Sequence, residues 1–308
     1  MAFTAKDVQL LREKTGVGMM DCKKALTEAD GDMDKAIDIL REKGLAAATK
    51  KAGRIAAEGA VYAYYDEDEK VGVIVEVNSE TDFVAKNSEF QNLCADVAKT
   101  IAVENPADVE ALLTKTMAGS DRTVQDNIND KILSIGENMK VRRFERVPGV
   151  VSTYIHMGGS VGVMIAFDTD EATAAKAEFL EMGKNVAMQI AAMSPQYLSD
   201  KDISDEVLAK EKDILLVQIK EDPKMASKPE KVIEGIIAGR IGKFFEEVCL
   251  LKQPYVKDDS IKVEQYIESV AKELGASIQA TAFFRFAKGE GLEKREDNFA
   301  DEIAKMVQ

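Results

Sequence analysis

The sequence predicts an α+β protein, and three observations carry that expectation. Apolar residues recur at helical spacing in three short runs near the N-terminus, separated by Gly- and Asp-rich breaks. A strand–strand–helix pattern then occurs twice, with matching residues in the two copies. Two longer amphipathic runs, joined by a Pro-containing turn, interrupt the second copy. The expected architecture is therefore a three-helix bundle and a core of two related subdomains, each an antiparallel sheet packed by helices. An inserted antiparallel helical hairpin, of coiled-coil type, and a short C-terminal helix complete it.

Taken in order, Thr4 is placed to cap the first helix, and Val8 and Leu11 share its inner face. "TGVG" at Thr15 to Gly18 breaks it. The second helix carries Met19, Met20, Cys22, Ala25 and Leu26, and "DGD" at Asp30 to Asp32 ends it. Ala36, Ile37 and Leu40 mark the third. The Ala- and Lys-rich "LAAATKKAGRIAAEG" that follows reads as a helical linker.

The repeat appears when "GAVYAYYDEDEKVGVIVEV" (Gly59 to Val77) is laid over "GVVSTYIHMGGSVGVMIAF" (Gly149 to Phe167). Gly59 meets Gly149, Val61 meets Val151, Tyr64 meets Tyr154, and "VGV" recurs at Val71 and Val161. Each copy reads as a hairpin followed by a helix. After a one-residue deletion Phe90, Val97, Ala98, Ile101 and Pro106 meet Phe179, Val186, Ala187, Ile190 and Pro195. Val109 to Arg143, between the copies, reads as helical. The insert has helices on Ser204 to Glu221 and around Ile233 to Val248; a helix near Val263 to Leu274 and a strand within Ser277 to Gly289 follow. The last helix has Asn298 as cap and Phe299, Ile303 and Met306 on one stripe. The expected domains are 1–54 (bundle and linker), 55–145 (first core subdomain), 146–290 (second, with an insert about 202–248) and 291–308 (C-terminal module).

Composition narrows the function. Net charge is −14, so phosphate backbones repel the chain and direct nucleic-acid binding is not expected. Lys50, Lys51 and Arg54, and Arg142, Arg143 and Arg146, read as solvated helix faces. Cys22, Cys94 and Cys249 are scattered and odd in number, as for reduced thiols in a cytoplasmic protein. With one histidine, His156, and no CxxC, a zinc site or a Ser-His-Asp triad lacks its parts. No phosphate-binding glycine motif occurs; "GRIGKFF" at Gly239 to Phe245 lacks the Ser/Thr and sits in a helical pattern. No apolar run is long enough to span a membrane, and the N-terminus does not read as a signal peptide. An enzyme, a metal and a cofactor are all unexpected.

One stretch stands out. "NSETDFVAKN" (Asn78 to Asn87) follows a strand and holds Phe83 among polar residues. Opposite Thr81, Asp82 and Phe83 the second copy has Asp170, Glu171 and Ala172, so the scaffold forms without a ring there. Thr81 is a plausible cap for a helix beginning near Val84. A ring beside an Asp at a strand-to-helix corner makes a wedge, contributing roughly 1.5–3 kcal/mol if buried in a partner's pocket. Burial in the chain's own core is the competing reading.

"TGVGMMDCKKAL" (Thr15 to Leu26), "EVNSETDFVAKN" (Glu76 to Asn87) and "FFRFAKGEGLEK" (Phe283 to Lys294) together resemble the bacterial-type translation elongation factor Ts family over nearly the whole chain. The resemblance implies a ubiquitin-associated-like (UBA-like) N-terminal bundle, a two-subdomain core and elongation factor Tu, a GTPase, as partner. The implied activity is guanine-nucleotide exchange, without chemical catalysis. In the family the pair matching Asp82 and Phe83 enters the GTPase domain and disturbs its magnesium and phosphate sites, so that GDP leaves. Thr81 to Val84 is the matching segment. Arg12, Met19, Met20 and Lys23 match further contacts to the same domain, and His156 lies on the subdomain that touches another part of the partner. Two rivals remain: an adaptor or ubiquitin-like binding protein docking through Met19 and Met20, which read equally well as bundle core, and an enzyme using His156.

Overall fold

The structure is a computed structural model that describes residues 3–222 and 228–293. Contacts divide the chain into two units: Met1–Val147 with Ile155–Gly162 and Phe286–Gln308, and Pro148–Tyr154 with Val163–Arg285. The expected helix bearing Phe299, Ile303 and Met306 lies outside the described residues.

The first unit opens with α1 (Ala5–Thr15), α2 (Met19–Glu28) and α3 (Met33–Lys51). Thr4 opens α1 by donating from both its amide and its hydroxyl to the Asp7 carboxylate, at 2.6 and 2.8 Å. Gly16, at φ +67°, ends α1 in the left-handed region. Leu11, Cys22, Ala25, Leu26, Ala36 and Leu40 close over one another as the bundle's core. The expected linker is helical as far as Lys51 and simply continues α3.

Next come β1 (Glu58–Asp66) and β2 (Val71–Ser79), an antiparallel hairpin pairing Glu58 with Ser79 and Asp66 with Val71. Gly59 sits at φ +114°, where a Cβ would come within 2.2 Å of the Val77 carbonyl oxygen. Then follow α4 (Asp82–Ala85), α5 (Ser88–Glu104), α6 (Val109–Thr114), α7 (Val124–Ile135) and β3 (Lys140–Pro148). The sheet order is β1-β2-β3, and every residue of the central β2 is buried. Val71, Val73, Val75 and Val77 join Phe90, Leu93, Val97 and Ile101 of α5 in one core, as the period of two requires.

β3 corrects one expectation. Arg142, Arg143 and Arg146 lie on a strand, not on a solvated helix face. Arg142 and Arg143 pair with Glu76, a fully buried carboxylate on β2. A charge that finds its counter-charge across a sheet is tolerated on a strand, and periodicity along the chain does not register that partner.

Helix α7 braces the bundle. Gly44 of α3 packs against α7, where a Cβ would meet the Asn129 carbonyl oxygen at van der Waals distance, 3.5 Å. Lys51 Nζ donates to the Ile132 carbonyl at 3.2 Å, and Arg41 pairs with Asp126 at 3.6 Å.

The second copy supplies β4 (Val150–His156), β5 (Val161–Asp168), α8 (Glu171–Ala174) and α9 (Ala177–Met193). Later come α10 (Asp205–Glu221), α11 (Glu230–Val248), β6 (Pro254–Tyr255), β7 (Asp258–Lys262), α12 (Val263–Leu274) and β8 (Gln279–Ala287). The second sheet has the order β4-β5-β8. In the second unit Phe167 and Phe179 meet edge to face at 5.3 Å. Gly183 of α9 lies so near Ser152 that a Cβ would reach within 2.0 Å of its Oγ. Asn185 Nδ2 donates to the Tyr266 hydroxyl at 3.0 Å, joining α9 to α12. Ser204 caps α10, α10 and α11 are in contact, and Leu215 and Ile219 of α10 and Ile241 of α11 are buried.

The duplication is visible element by element. α4 and α8 have four residues each, α5 and α9 seventeen, and Asn105 and Ser194 end the longer helices in the same left-handed conformation. Among the described residues no helix is long and apolar enough to cross a membrane.

Candidate functional site: the Thr81–Val84 corner

β2 ends at Ser79, and the next residues are held by hydrogen bonds from three sides. Ser79 Oγ donates to the Thr81 carbonyl at 3.0 Å. The Glu137 carboxylate accepts from the Glu80 amide (3.1 Å), the Thr81 amide (2.9 Å) and the Thr81 hydroxyl (2.7 Å). Glu80 Oε1 in turn accepts from the Asn138 amide at 2.6 Å and pairs with Arg54. With its proton directed at Glu137, Thr81 Oγ1 has a lone pair for the Val84 amide (3.4 Å), so Thr81 caps α4. The helix starts at Asp82, two residues before the expected place.

One turn of helix then sorts its side chains. Val84 and Ala85 are buried, while Phe83 is 80% exposed. Asp82 pairs with Lys86 at 2.7 Å, one helical turn on, and that hydrogen bond holds its carboxyl below the usual range. Asn87 caps α5 through the Glu89 amide at 2.8 Å, and Gln91 Nε2 donates back to the Ala85 carbonyl at 2.6 Å. The ring thus stands in water on a corner whose backbone is fixed at both ends. In the sister corner Asp170 accepts from the amide and hydroxyl of Thr173 (2.9 and 2.7 Å), and exposed Ala172 occupies the place of Phe83. The position faces outward in both copies, which removes the core reading of Phe83.

The structure brings part of the N-terminal set to the same place. Arg12, Gly16, Val17 and Gly18 line one groove with Phe83, Val84, Asn87, Glu89, Ser134 and Ile135. Met19 and Met20 follow directly and are 45% and 65% exposed, so they are surface residues rather than bundle core. Lys23 is exposed on the same helix. His156 is not among the lining residues; it ends β4 at an exposed hairpin tip beside Met157, itself 76% exposed. Among the described residues no cluster of His, Cys, Asp and Glu is arranged to hold a metal.

Two groupings went unseen in the sequence. Glu137 is one. The other centres on Glu76, whose carboxylate accepts from Arg142 (3.0 and 3.2 Å), Arg143 Nε (2.7 Å), Asn78 (3.1 Å) and the Gly289 amide (2.8 Å). Arg143 also lies 4.2 Å over the Phe286 ring. Burial pushes the Glu76 carboxyl up, but the Gly289, Asn78, Arg143 and Arg142 donors outweigh it and hold it below its ordinary value. No local motif signals either grouping, because the partners are far apart in the chain.

Fold and site define an α+β protein built on a duplicated strand–strand–helix unit, with one of two equivalent corners elaborated into an exposed Asp-Phe turn. The family model described as "Elongation factor TS" matches residues 80–290. Elongation factor Ts of Clostridium perfringens (strain SM101 / Type A) is 51% identical over 307 residues, 99% of each chain. The namesake from Syntrophotalea carbinolica is 49% identical with both chains fully covered, and that from Trichlorobacter lovleyi 48% over 99% of this chain and 98% of its own. The chain belongs to the elongation factor Ts family.

Proposed function

We propose that this chain is a guanine-nucleotide exchange factor for elongation factor Tu in the elongation phase of translation. It binds the GDP complex, places Asp82 and Phe83 in the GTPase domain and disturbs the partner's hold on Mg²⁺ and phosphate, so that GDP leaves and GTP can bind. Thr81 and Val84 shape the wedge. Arg12, Met19, Met20 and Lys23 dock against the same GTPase domain, and His156 meets another part of the partner. The observation that carries this reading is the 80% exposure of Phe83 on a braced corner whose sister copy has alanine.

Linkage sets the thermodynamics. A catalytic amount of an exchange factor leaves the final GDP/GTP balance unchanged. It must bind the nucleotide-free partner much more tightly than the loaded one, and nucleotide must weaken its binding by the same factor. The chain performs no bond-making chemistry; Mg²⁺ and nucleotide belong to the partner. In this reading residues 1–54 form a UBA-like docking module with its linker, 55–145 and 146–290 are the two core subdomains, the insert about 202–248 is a coiled coil, and 291–308 is a further docking module. The place of action is the cytoplasm.

The test is release of a fluorescent GDP from purified elongation factor Tu, followed in time with and without this chain and excess unlabelled nucleotide. Acceleration by substoichiometric protein is expected. An unchanged release rate at any concentration of the chain refutes the proposal.

A further inference from the structure

Glu137 lies outside the exposed wedge, yet its contacts hold the wedge in place. α7 ends at Ile135, and Gly136, with φ of +92°, turns the chain and delivers the next side chain to the Thr81 corner. One carboxylate then takes three donors, the amides of Glu80 and Thr81 and the Thr81 hydroxyl. The hydroxyl contact matters most. Thr81 Oγ1 donates its proton to Glu137 and accepts from the Val84 amide at the same time, so one hydroxyl ties the Glu137 carboxylate to the cap that starts the Asp82–Ala85 turn.

The sister corner provides the control. There Asp170 caps its turn from within, through Thr173 in the same turn. The copy that carries an exposed phenylalanine is braced by a carboxylate 56 residues away along the chain, just beyond the C-terminal end of α7. The same helix end contributes Ser134 and Ile135 to the groove shared by Arg12 and Phe83. A scaffold need alone is met by the local cap, as the sister copy demonstrates.

We infer that Glu137 is a positioning residue for nucleotide exchange: its carboxylate keeps the Thr81–Val84 turn in the conformation that aims Phe83 at the partner. The inference rests on the exchange reading above. Without the clamp the turn samples other conformations, and only the fraction with the ring correctly aimed engages. If that fraction falls to about a tenth, the apparent association weakens about tenfold.

The experiment measures kcat/KM for GDP release from elongation factor Tu with wild type, Glu137→Ala, Phe83→Ala and the double variant, with a melting curve for each. Glu137→Ala is expected to lose about tenfold in kcat/KM, mainly through KM. In the Phe83→Ala background the same substitution is expected to change kcat/KM by less than about twofold, because residues acting through one another are not additive. A general structural defect lowers the rate by the same factor in both backgrounds, and that result overturns the inference. So does a Glu137→Ala protein as fast as wild type. Should Glu137→Ala fail to fold, Glu137→Gln, which keeps an acceptor oxygen for the two amides but turns an N–H toward the Thr81 hydroxyl, carries the same cycle: a loss confined to the background that retains Phe83 supports the inference, and an equal loss in both backgrounds, or none, overturns it. If wild type itself does not accelerate release, the exchange reading fails first, which is a distinct result.

Discussion

Replacing Phe83 by alanine separates a ring that serves a partner from one that serves the fold. Full burial of a phenylalanine side chain contributes roughly 1.5–3 kcal/mol. Phe83 is 80% exposed, so only about a fifth of that, roughly 0.3–0.6 kcal/mol, supports the free chain. Alanine recovers a few tenths of a kcal/mol in helix propensity, roughly 0.5 at most. The net change in stability is therefore close to zero, and the melting temperature is expected to move by less than about 2 °C. Phe90 and Phe179, at 0% and 1% exposure, are the internal standards, and alanine at either should cost about 3–5 kcal/mol. On the partner, the remaining four fifths of the ring is available for burial, roughly 1.2–2.4 kcal/mol, or about eight- to sixtyfold in exchange efficiency. The assay pairs thermal unfolding with fluorescent GDP release. A Phe83→Ala protein that melts like Phe90→Ala refutes the wedge assignment, and so does one that melts like wild type and exchanges at the wild-type rate.

The scaffold makes its own predictions. Glu76→Gln removes the charge that two arginines share, and stability at pH 7 should fall by about 3 kcal/mol in urea unfolding. Because the Glu76 carboxyl is held below its ordinary 4.5, its contribution is complete above that pH and is lost as pH falls through the lower folded-state value. The gap between wild type and Glu76→Gln should accordingly close on acidification below about pH 4.5; a gap that widens there contradicts the ion-pair account. Gly59→Ala, with φ of +114° and a backbone oxygen 2.2 Å from the new Cβ, should cost about 3 kcal/mol or more. Gly149→Ala, at φ +93° with open space around it, should cost about 1 kcal/mol, and equal losses at the two sites would argue against the clash. Cys22, Cys94 and Cys249 are all buried, and burial raises each thiol, Cys249 to about 11. Native protein at pH 8 should therefore leave a disulfide-exchange chromophore colourless until denaturant exposes all three thiols.

Much of this protein is legible along the chain. Amphipathic spacing placed the bundle helices, and the hairpin glycines and valines marked two copies of one unit, because these signals repeat within a few residues of each other. The comparison of copies also singled out Phe83, since one chain contained both the scaffold with a ring and the scaffold without it. Exposure was beyond reach of that comparison: Met19, Met20 and Phe83 were each open to a core or a surface reading, and only packing decided them. The arginines of β3 were misplaced for a related reason. Their counter-charge Glu76 lies 66 and 67 residues away, and the Gly289 amide that completes the cluster lies 213 away from it. Glu137 reaches Thr81 across 56 residues. Local periodicity marked the apolar faces of the bundle helices, of β2 and of α5. The side chains that fix the corner and pin the strands meet only when the chain closes on itself, and there the tertiary structure alone decided which carboxylate holds which backbone.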